Sequence, residues 1–208
     1  LPRPTFRWLR VNHTVSSLAG EDTAVQSIAV EANKDILSPL PVGTALLDGN
    51  YEGANKEAVH VLVEKAEGYA INVPAKAKEV VGIRIDANAR VANRFQFIVG
   101  EGAELEVQFY VTGSGDALTN VSYLNEYDVK EAGKVVVKKV NLLPEHVQHI
   151  EHRYTKLEEK ADVEYINIEI GGSENILNYY HDLVGQESRM VHDIAYLGNK
   201  EQKFDISM

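Results

Sequence analysis

Apolar and polar residues alternate with a period of two over much of the chain after residue 68. The clearest example has apolar side chains at every second position, namely Leu105, Val107, Phe109 and Val111. Similar runs begin at Val91 and Val135, and isoleucines mark a further apolar strand at positions 166, 168 and 170. This period predicts β-strands, most of them with one buried face. Only Pro74 and Pro144 interrupt residues 68–208, so most of these strands keep their backbone N–H donors.

A pattern of Glu, any residue, a small residue, a polar residue and an aliphatic residue recurs four times among these strands. The copies begin at Glu101, Glu131, Glu159 and Glu187, although Arg189 and Met190 break the pattern in the last copy. Strands that repeat about every 28 residues without an intervening helical pattern favour the stacked coils of a parallel β-helix. The coil is expected to be right-handed. An antiparallel sandwich with accidental spacing is the alternative. We interpret the leading Glu as a coil corner, not as a catalytic acid.

The first 67 residues differ from the rest and contain four of the six prolines. Gly53 to Lys65 fits a short amphipathic helix, with Ala54, Ala58, Val61 and Leu62 on one face. We therefore predict a small mixed α/β segment over residues 1–67, followed by an all-β core over residues 68–208.

Composition limits the classes of function. The formal net charge of −10 argues against nucleic acid and against an anionic membrane as partners, because both require a basic surface. The chain has no cysteine, which excludes disulfides, cysteine nucleophiles and thiolate ligands from this chain. No apolar run approaches the roughly 20 residues of a membrane-spanning helix.

Four stretches resemble, in their order and spacing, the SufB and SufD family of iron–sulfur assembly scaffolds. These stretches are Gly68–Pro74 (Gly-Tyr-Ala-Ile-Asn-Val-Pro), Phe97–Leu105, Glu159–Tyr165 and Asn175–Tyr179. The resemblance covers about residues 40–208. It implies a right-handed parallel β-helix in a cytoplasmic, non-catalytic scaffold. The scaffold would pair with a SufB/SufD-type subunit, as a homodimer or a heterodimer, and would work with a SufC-type ABC ATPase. In the family a helical region beyond the β-helix carries the SufC contact, and we expect residues 1–208 to lack it.

The resemblance also indicates which kind of member this is. The Arg-Ile-Asn strand of SufB-type proteins falls on Arg84-Ile85-Asp86, and the SufB-type cysteine falls near Val111. The SufB-type Val-Gln-Asn-Trp falls on Val140 to Leu143, which leaves Asn141 as its polar position. Because valine can neither carry sulfur nor bind iron, the chain looks closer to SufD-like or archaeal-type members. A transient iron–sulfur cluster is then expected only at the level of the complex.

Histidines are the remaining candidates for chemistry. Of His146, His149 and His152, the first and third share one face of a strand and His149 lies on the other. His181 and His192 are each followed by Asp, near the C-terminal end of the predicted coils. Imidazole is a common metal ligand, so His149, His181 and His192 are candidate metal ligands, with ordinary structural or surface histidines as the alternative.

Two rival functions remain open. A β-helix polysaccharide lyase or glycosidase would need clustered carboxylates on one face of the solenoid. Here the acidic residues recur at predicted corners, and the chain offers one Trp as a sugar platform. A structural solenoid without a ligand is the other rival. We predict no catalytic residue.

Overall fold

The strands of the protein form two sheets, seen in a computed structural model that describes residues 28–47, 56–199 and 201–208. Sheet A contains, in spatial order, β1 (Ile28–Glu31), β4 (Lys78–Ala87), β6 (Glu104–Gly113), β8 (Lys134–Asn141), β10 (Asp162–Glu169) and β12 (Arg189–Tyr196). Sheet B contains β2 (Leu37–Leu40), β3 (Gly68–Val73), β5 (Val91–Val99), β7 (Asn120–Val129), β9 (Gln148–Leu157), β11 (Glu174–Leu183) and β13 (Lys203–Ser207).

The chain alternates between the two sheets from β3 onward. Each coil contributes one strand to sheet B and the next to sheet A, which makes five coils from β3 to β12. All neighbours along this path pair in parallel, whereas β1 and β2 pair antiparallel with β4 and β3 in the first coil. The predicted all-β core is therefore confirmed as a parallel β-helix, with its interior lumen enclosed between the two sheets.

The recurring Glu pattern lies at the corner that leads from sheet B to sheet A. The residue after the leading Glu adopts a left-handed backbone at Gly102, Ala132 and Lys160, with φ between 53° and 63°. Its N–H donates to the carbonyl of the next coil's corner, for example from Ala132 to Glu159 O at 2.8 Å. The small residue of the pattern points inward, as Ala103 and Ala161 do with no exposed surface. The leading glutamates are exposed, as expected for a corner.

The fourth copy of the pattern is displaced by one residue from the prediction. Strand β12 pairs with β10 so that Arg189 lies beside Asp162. The N–H of Lys160 accordingly bonds to the carbonyl of Gln186, and Glu187 takes the left-handed position with φ of 58°. Gln186 is therefore the corner residue of this coil, which explains why Arg189 and Met190 appeared to break the pattern.

Aromatic side chains fill the lumen of the first coils. The rings of Phe97 and Tyr127 stack with centroids 4.5 Å apart, and those of Phe109 and Tyr123 stack at 6.1 Å. All four side chains are buried, so this half of the lumen is a conventional close-packed core.

The N-terminal segment covers part of the outer face of sheet B. Helix α1 (Lys56–Lys65) packs Val59 and Leu62 against Leu124 and Tyr154. The predicted apolar face of the helix included Val61 and not Val59. In the structure Val59 is buried and Val61 is only partly buried, so the packed face is shifted from the predicted one. The predicted helix start at Gly53 and Ala54 lies outside the described residues. The boundary at residue 67 stays a prediction.

Strand β10 presents its isoleucines outward. Ile168 and Ile170 are 38% and 40% exposed, whereas Tyr165, Asn167 and Glu169 point into the lumen. The strand was predicted, but its buried face carries the polar side chains. In the part of the chain that the structure describes, no helix is long and apolar enough to cross a membrane.

Candidate functional site in the polar half of the lumen

The lumen changes from apolar to polar at the third coil in sheet A and at the fourth coil in sheet B. In sheet A, Phe109 is followed by Lys139 and Asn167 at the same position of successive strands. One step along, Val111 is followed by Asn141 and Glu169. In sheet B, Val121 and Tyr123 of β7 are followed by His149 and Glu151 at the same positions of β9. The later coils thus place charged and amide side chains where the earlier coils place Phe and Val.

Four charged side chains meet in this part of the lumen without exposed surface. Lys139 Nζ forms ion pairs with Glu151 Oε2 and Glu169 Oε1. Arg153 Nη2 lies 2.6 Å from Glu151 Oε1. Burial alone would raise the pKa of Glu151, but Arg153 and Lys139 hold it well below its ordinary value. Two cations and two carboxylates therefore balance in a region where an unpaired charge would be very costly.

Arg153 is held between two aromatic faces as well as by its ion pair. Its guanidinium carbon lies 4.2 Å from the Tyr165 ring centroid and 4.3 Å from that of Tyr179. Burial opposes its charge, but Glu151 keeps the pKa of Arg153 above its ordinary value. The Tyr179 hydroxyl donates to Glu151 Oε2 at 3.0 Å, and burial, with Glu151, raises the pKa of Tyr179. The cation is thus fixed in position and permanently charged.

Asn141 and His149 form a second buried group beside these charges. Asn141 Nδ2 donates to Asn175 Oδ1 at 2.9 Å, and Asn141 Oδ1 accepts from the Leu143 N–H at 3.1 Å. His149 Nδ1 lies 3.1 Å from both Asn141 Nδ2 and Asn175 Oδ1, and its Nε2 lies 3.0 Å from the Tyr123 hydroxyl. Burial and the nearby Lys139 lower the pKa of His149 to about 4. Both ring nitrogens of this neutral imidazole are therefore occupied by protein contacts.

The three family-matched positions do not converge. Arg84 and Asp86 lie on the outer face of sheet A. The guanidinium carbon of Arg84 lies 5.4 Å from the Tyr110 ring centroid, and its Nη2 lies 4.0 Å from Asp86 Oδ2. Their side chains are 61% and 59% exposed. Asn141 faces the lumen and is fully buried. Of the three, only Asn141 belongs to the polar site.

His149 and His152 lie on opposite faces of β9, as the strand period predicts, whereas His146 lies in the turn before β9 and not on the strand. His149 faces the lumen with Glu151, while His152 lies on the opposite face of β9 with Ile150. His181 and His192 both face the lumen in the last coil, their ring centroids 6.1 Å apart. In the described residues, no three side chains of the His, Cys, Asp and Glu types come together as a metal site.

Sequence reasoning missed the charged centre formed by Lys139, Glu151, Arg153 and Glu169. Glu151 and Glu169 are a carboxylate pair of the kind a glycosidase would need, but both are fully buried and paired with Lys139. A sugar could not reach them in this structure. The available signal was Lys139, which interrupts the apolar alternation of β8 at the position where β6 has Phe109.

Comparison with known proteins places this site within a family. Residues 83–208, more than half of the chain, match the family model described as "SUF system FeS cluster assembly, SufBD core domain". Neither the search of curated proteins nor that of solved structures gave a match. The matched range includes every member of the polar lumen and all strands from β5 to β13. The chain therefore belongs to the SufBD core family of the SUF system for iron–sulfur cluster assembly.

Proposed function

We propose that the chain is a non-catalytic scaffold subunit of a Suf-type iron–sulfur assembly complex. The observation that carries the proposal is the family match over residues 83–208. The chain has no cysteine, so it offers no thiolate to a cluster or to sulfur in transfer. A cluster would be cargo of the complex, with its thiolates supplied by another subunit.

The interior supports a SufD-like or archaeal-type role. Val111, near which the SufB-type cysteine falls, is a buried member of the apolar core. Asn141 is engaged by Asn175, His149 and the Leu143 N–H. Neither position offers a free nucleophile or an exchangeable ligand. We infer that the subunit supports a cysteine-bearing partner and does not carry out sulfur chemistry itself.

The family match also supports a proposal for the partners. We propose that the chain pairs with a SufB/SufD-type subunit, either a second copy or a paralogue, in the cytoplasm. A SufC-type ABC ATPase would act on this pair through sequence at the edge of residues 1–208 or beyond it.

Co-expression tests the proposal directly. The chain is expressed with the SufC-type ATPase and the cysteine-bearing SufB-type protein of its own organism, and affinity purification is followed by an ATP hydrolysis assay. We expect co-purification and a changed hydrolysis rate compared with the ATPase alone. A chain that is folded by circular dichroism, yet neither binds the partners nor alters the hydrolysis rate, would overturn the scaffold proposal. Cleavage of a polysaccharide panel would overturn its non-catalytic part.

A further inference from the structure

Two histidines face each other across the lumen in the last coil. His181 comes from β11 of sheet B and His192 from β12 of sheet A. Their ring planes are inclined by 80° and their centroids are 6.1 Å apart. A metal ion bound at about 2.0–2.1 Å from one nitrogen of each ring would place the centroids about 5–6 Å apart. The observed separation is therefore close to that of two imidazoles on one ion.

Their nitrogen atoms remain available, unlike those of His149. Within the described chain, neither ring nitrogen of His181 has a hydrogen-bond partner, and the same holds for Nδ1 of His192. His192 Nε2 lies 3.3 Å from Asn167 Nδ2. For Nδ1 to bind a metal, Nε2 must carry the ring proton, which it can donate once the Asn167 amide is turned so that its unpartnered Oδ1 faces the ring. Buried polar atoms in proteins normally have partners, so these orphaned nitrogens indicate a ligand.

The surroundings hold both rings in place. Tyr165 lies against both imidazoles, with centroids 5.6 Å from His181 and 5.3 Å from His192. Tyr179 lies 4.8 Å from His192. These ring contacts restrict the rotation of both imidazoles, so their nitrogen donors are preorganised.

The protonation state also suits coordination. Burial and the nearby Arg153 lower the pKa of His181 to about 4 and that of His192 to about 3. Both rings are then neutral at pH 7, which is the form that binds metals. Glu151, whose carboxylate lies 2.6 Å from Arg153, acts in the opposite direction on His192 and raises its pKa.

We propose that His181 and His192 bind one divalent first-row transition metal ion of the Fe²⁺, Co²⁺ and Zn²⁺ class. Imidazole nitrogen suits these ions better than it suits Mg²⁺ or Ca²⁺. No third His, Cys, Asp or Glu joins the pair among the described residues, so the site that they form is a two-histidine site. The proposal concerns binding by this chain and does not depend on the proposed scaffold function.

The test uses the full chain with Zn²⁺ or Co²⁺ alone. We expect isothermal titration with Zn²⁺ to give one ion per chain, and His181→Gln and His192→Gln each to weaken binding at least tenfold. His146→Gln is the matched control, because His146 is exposed and lies before β9; it should leave the affinity unchanged. Equal affinity in all four proteins, or an equal loss in the control, would overturn the proposal.

A measurement on the unsubstituted chain guards against variants that fail to fold. X-ray absorption of the Co²⁺-loaded protein should show two imidazole ligands on the metal, completed by oxygen. A spectrum with oxygen ligands alone would overturn the site. Failure to bind a SufC-type ATPase would leave these results untouched, so the two proposals fail separately.

Discussion

Removing the positive charge of Lys139 should destabilise the protein far more than removing any exposed lysine. In Lys139→Met, Glu151 keeps Arg153 at 2.6 Å, but Glu169 loses its only Lys or Arg ion pair within the described residues. Breaking a buried pair by removing one partner typically costs about 3–5 kcal/mol. For a chain of this size, each kcal/mol lowers Tm by about 2–4 °C. We therefore expect Tm to fall by roughly 6–20 °C.

The origin of that loss is tested by removing the opposing charge as well. Lys139→Met combined with Glu169→Gln takes one charge of each sign from the lumen and leaves the Arg153–Glu151 pair intact. The double variant should lie within about 2 kcal/mol of the original protein, which gives a coupling energy of about 2–4 kcal/mol between the two positions.

The assay is urea unfolding of the full chain followed by far-ultraviolet circular dichroism. Lys138→Met is the matched control, because Lys138 lies next in sequence but faces solvent, where it pairs with Glu106 at 2.8 Å. An exposed pair contributes about 0–1 kcal/mol. If Lys139→Met costs no more than this control, or if the double variant costs the sum of the two single ones, the ion-pair network does not stabilise the lumen as argued.

Three further changes test other parts of the structure by the same unfolding assay. Gly171→Ala should prevent folding or lower the unfolding free energy by several kcal/mol, because the new Cβ would lie 2.1 Å from Leu143 N. Gly82→Ala is its control and should be tolerated, since its Cβ would lie 3.5 Å from the nearest atom. Ala132→Gly should stabilise by about 1 kcal/mol, since Ala132 has φ of 53° and only glycine adopts this conformation without cost. Lowering the pH from 6.5 to 4 should reduce the unfolding free energy by up to about 3 kcal/mol through His149. Over this range the imidazole of the unfolded chain becomes protonated, whereas the buried imidazole, with its pKa of about 4, begins to do so only at the lower end. His149→Asn should reduce that slope by up to one proton, and an unchanged slope would contradict the assignment.

The coil architecture was predictable because it follows from periodic patterns in the local sequence. The corner pattern at Glu101, Glu131 and Glu159 carries both the left-handed backbone position and the small inward residue. The fourth corner was misplaced by one residue, because Glu187 resembled the leading Glu and only the pairing of Arg189 with Asp162 fixes the register. Local sequence does not encode the register between coils.

The polar lumen was not predictable for a related reason. Strand β10 has apolar residues on one face and polar residues on the other, and local alternation alone favours burying the isoleucines. Stacking on β8 decides otherwise, because it places Asn167 beside Lys139 and Glu169 beside Asn141. Each of these buried groups is acceptable only through partners on other strands, such as Lys139 for Glu169. Those partnerships are tertiary, so no single strand shows them.

The fold itself does not require this polar interior. The first coils fill equivalent lumen positions with Phe109, Val111 and Tyr123, so the same backbone accommodates an apolar core. Replacing a buried ion-pair network by well-packed apolar residues is often neutral or stabilising. Stability alone therefore does not explain why this lumen carries charges. They lie next to the coil of β11 and β12, where Arg153 packs between Tyr165 and Tyr179. Burial and then the charge of Arg153 lower the pKa values of His181 and His192. In the proposed metal site, Arg153 would thus help to keep the two imidazoles neutral, which is the form that binds a metal.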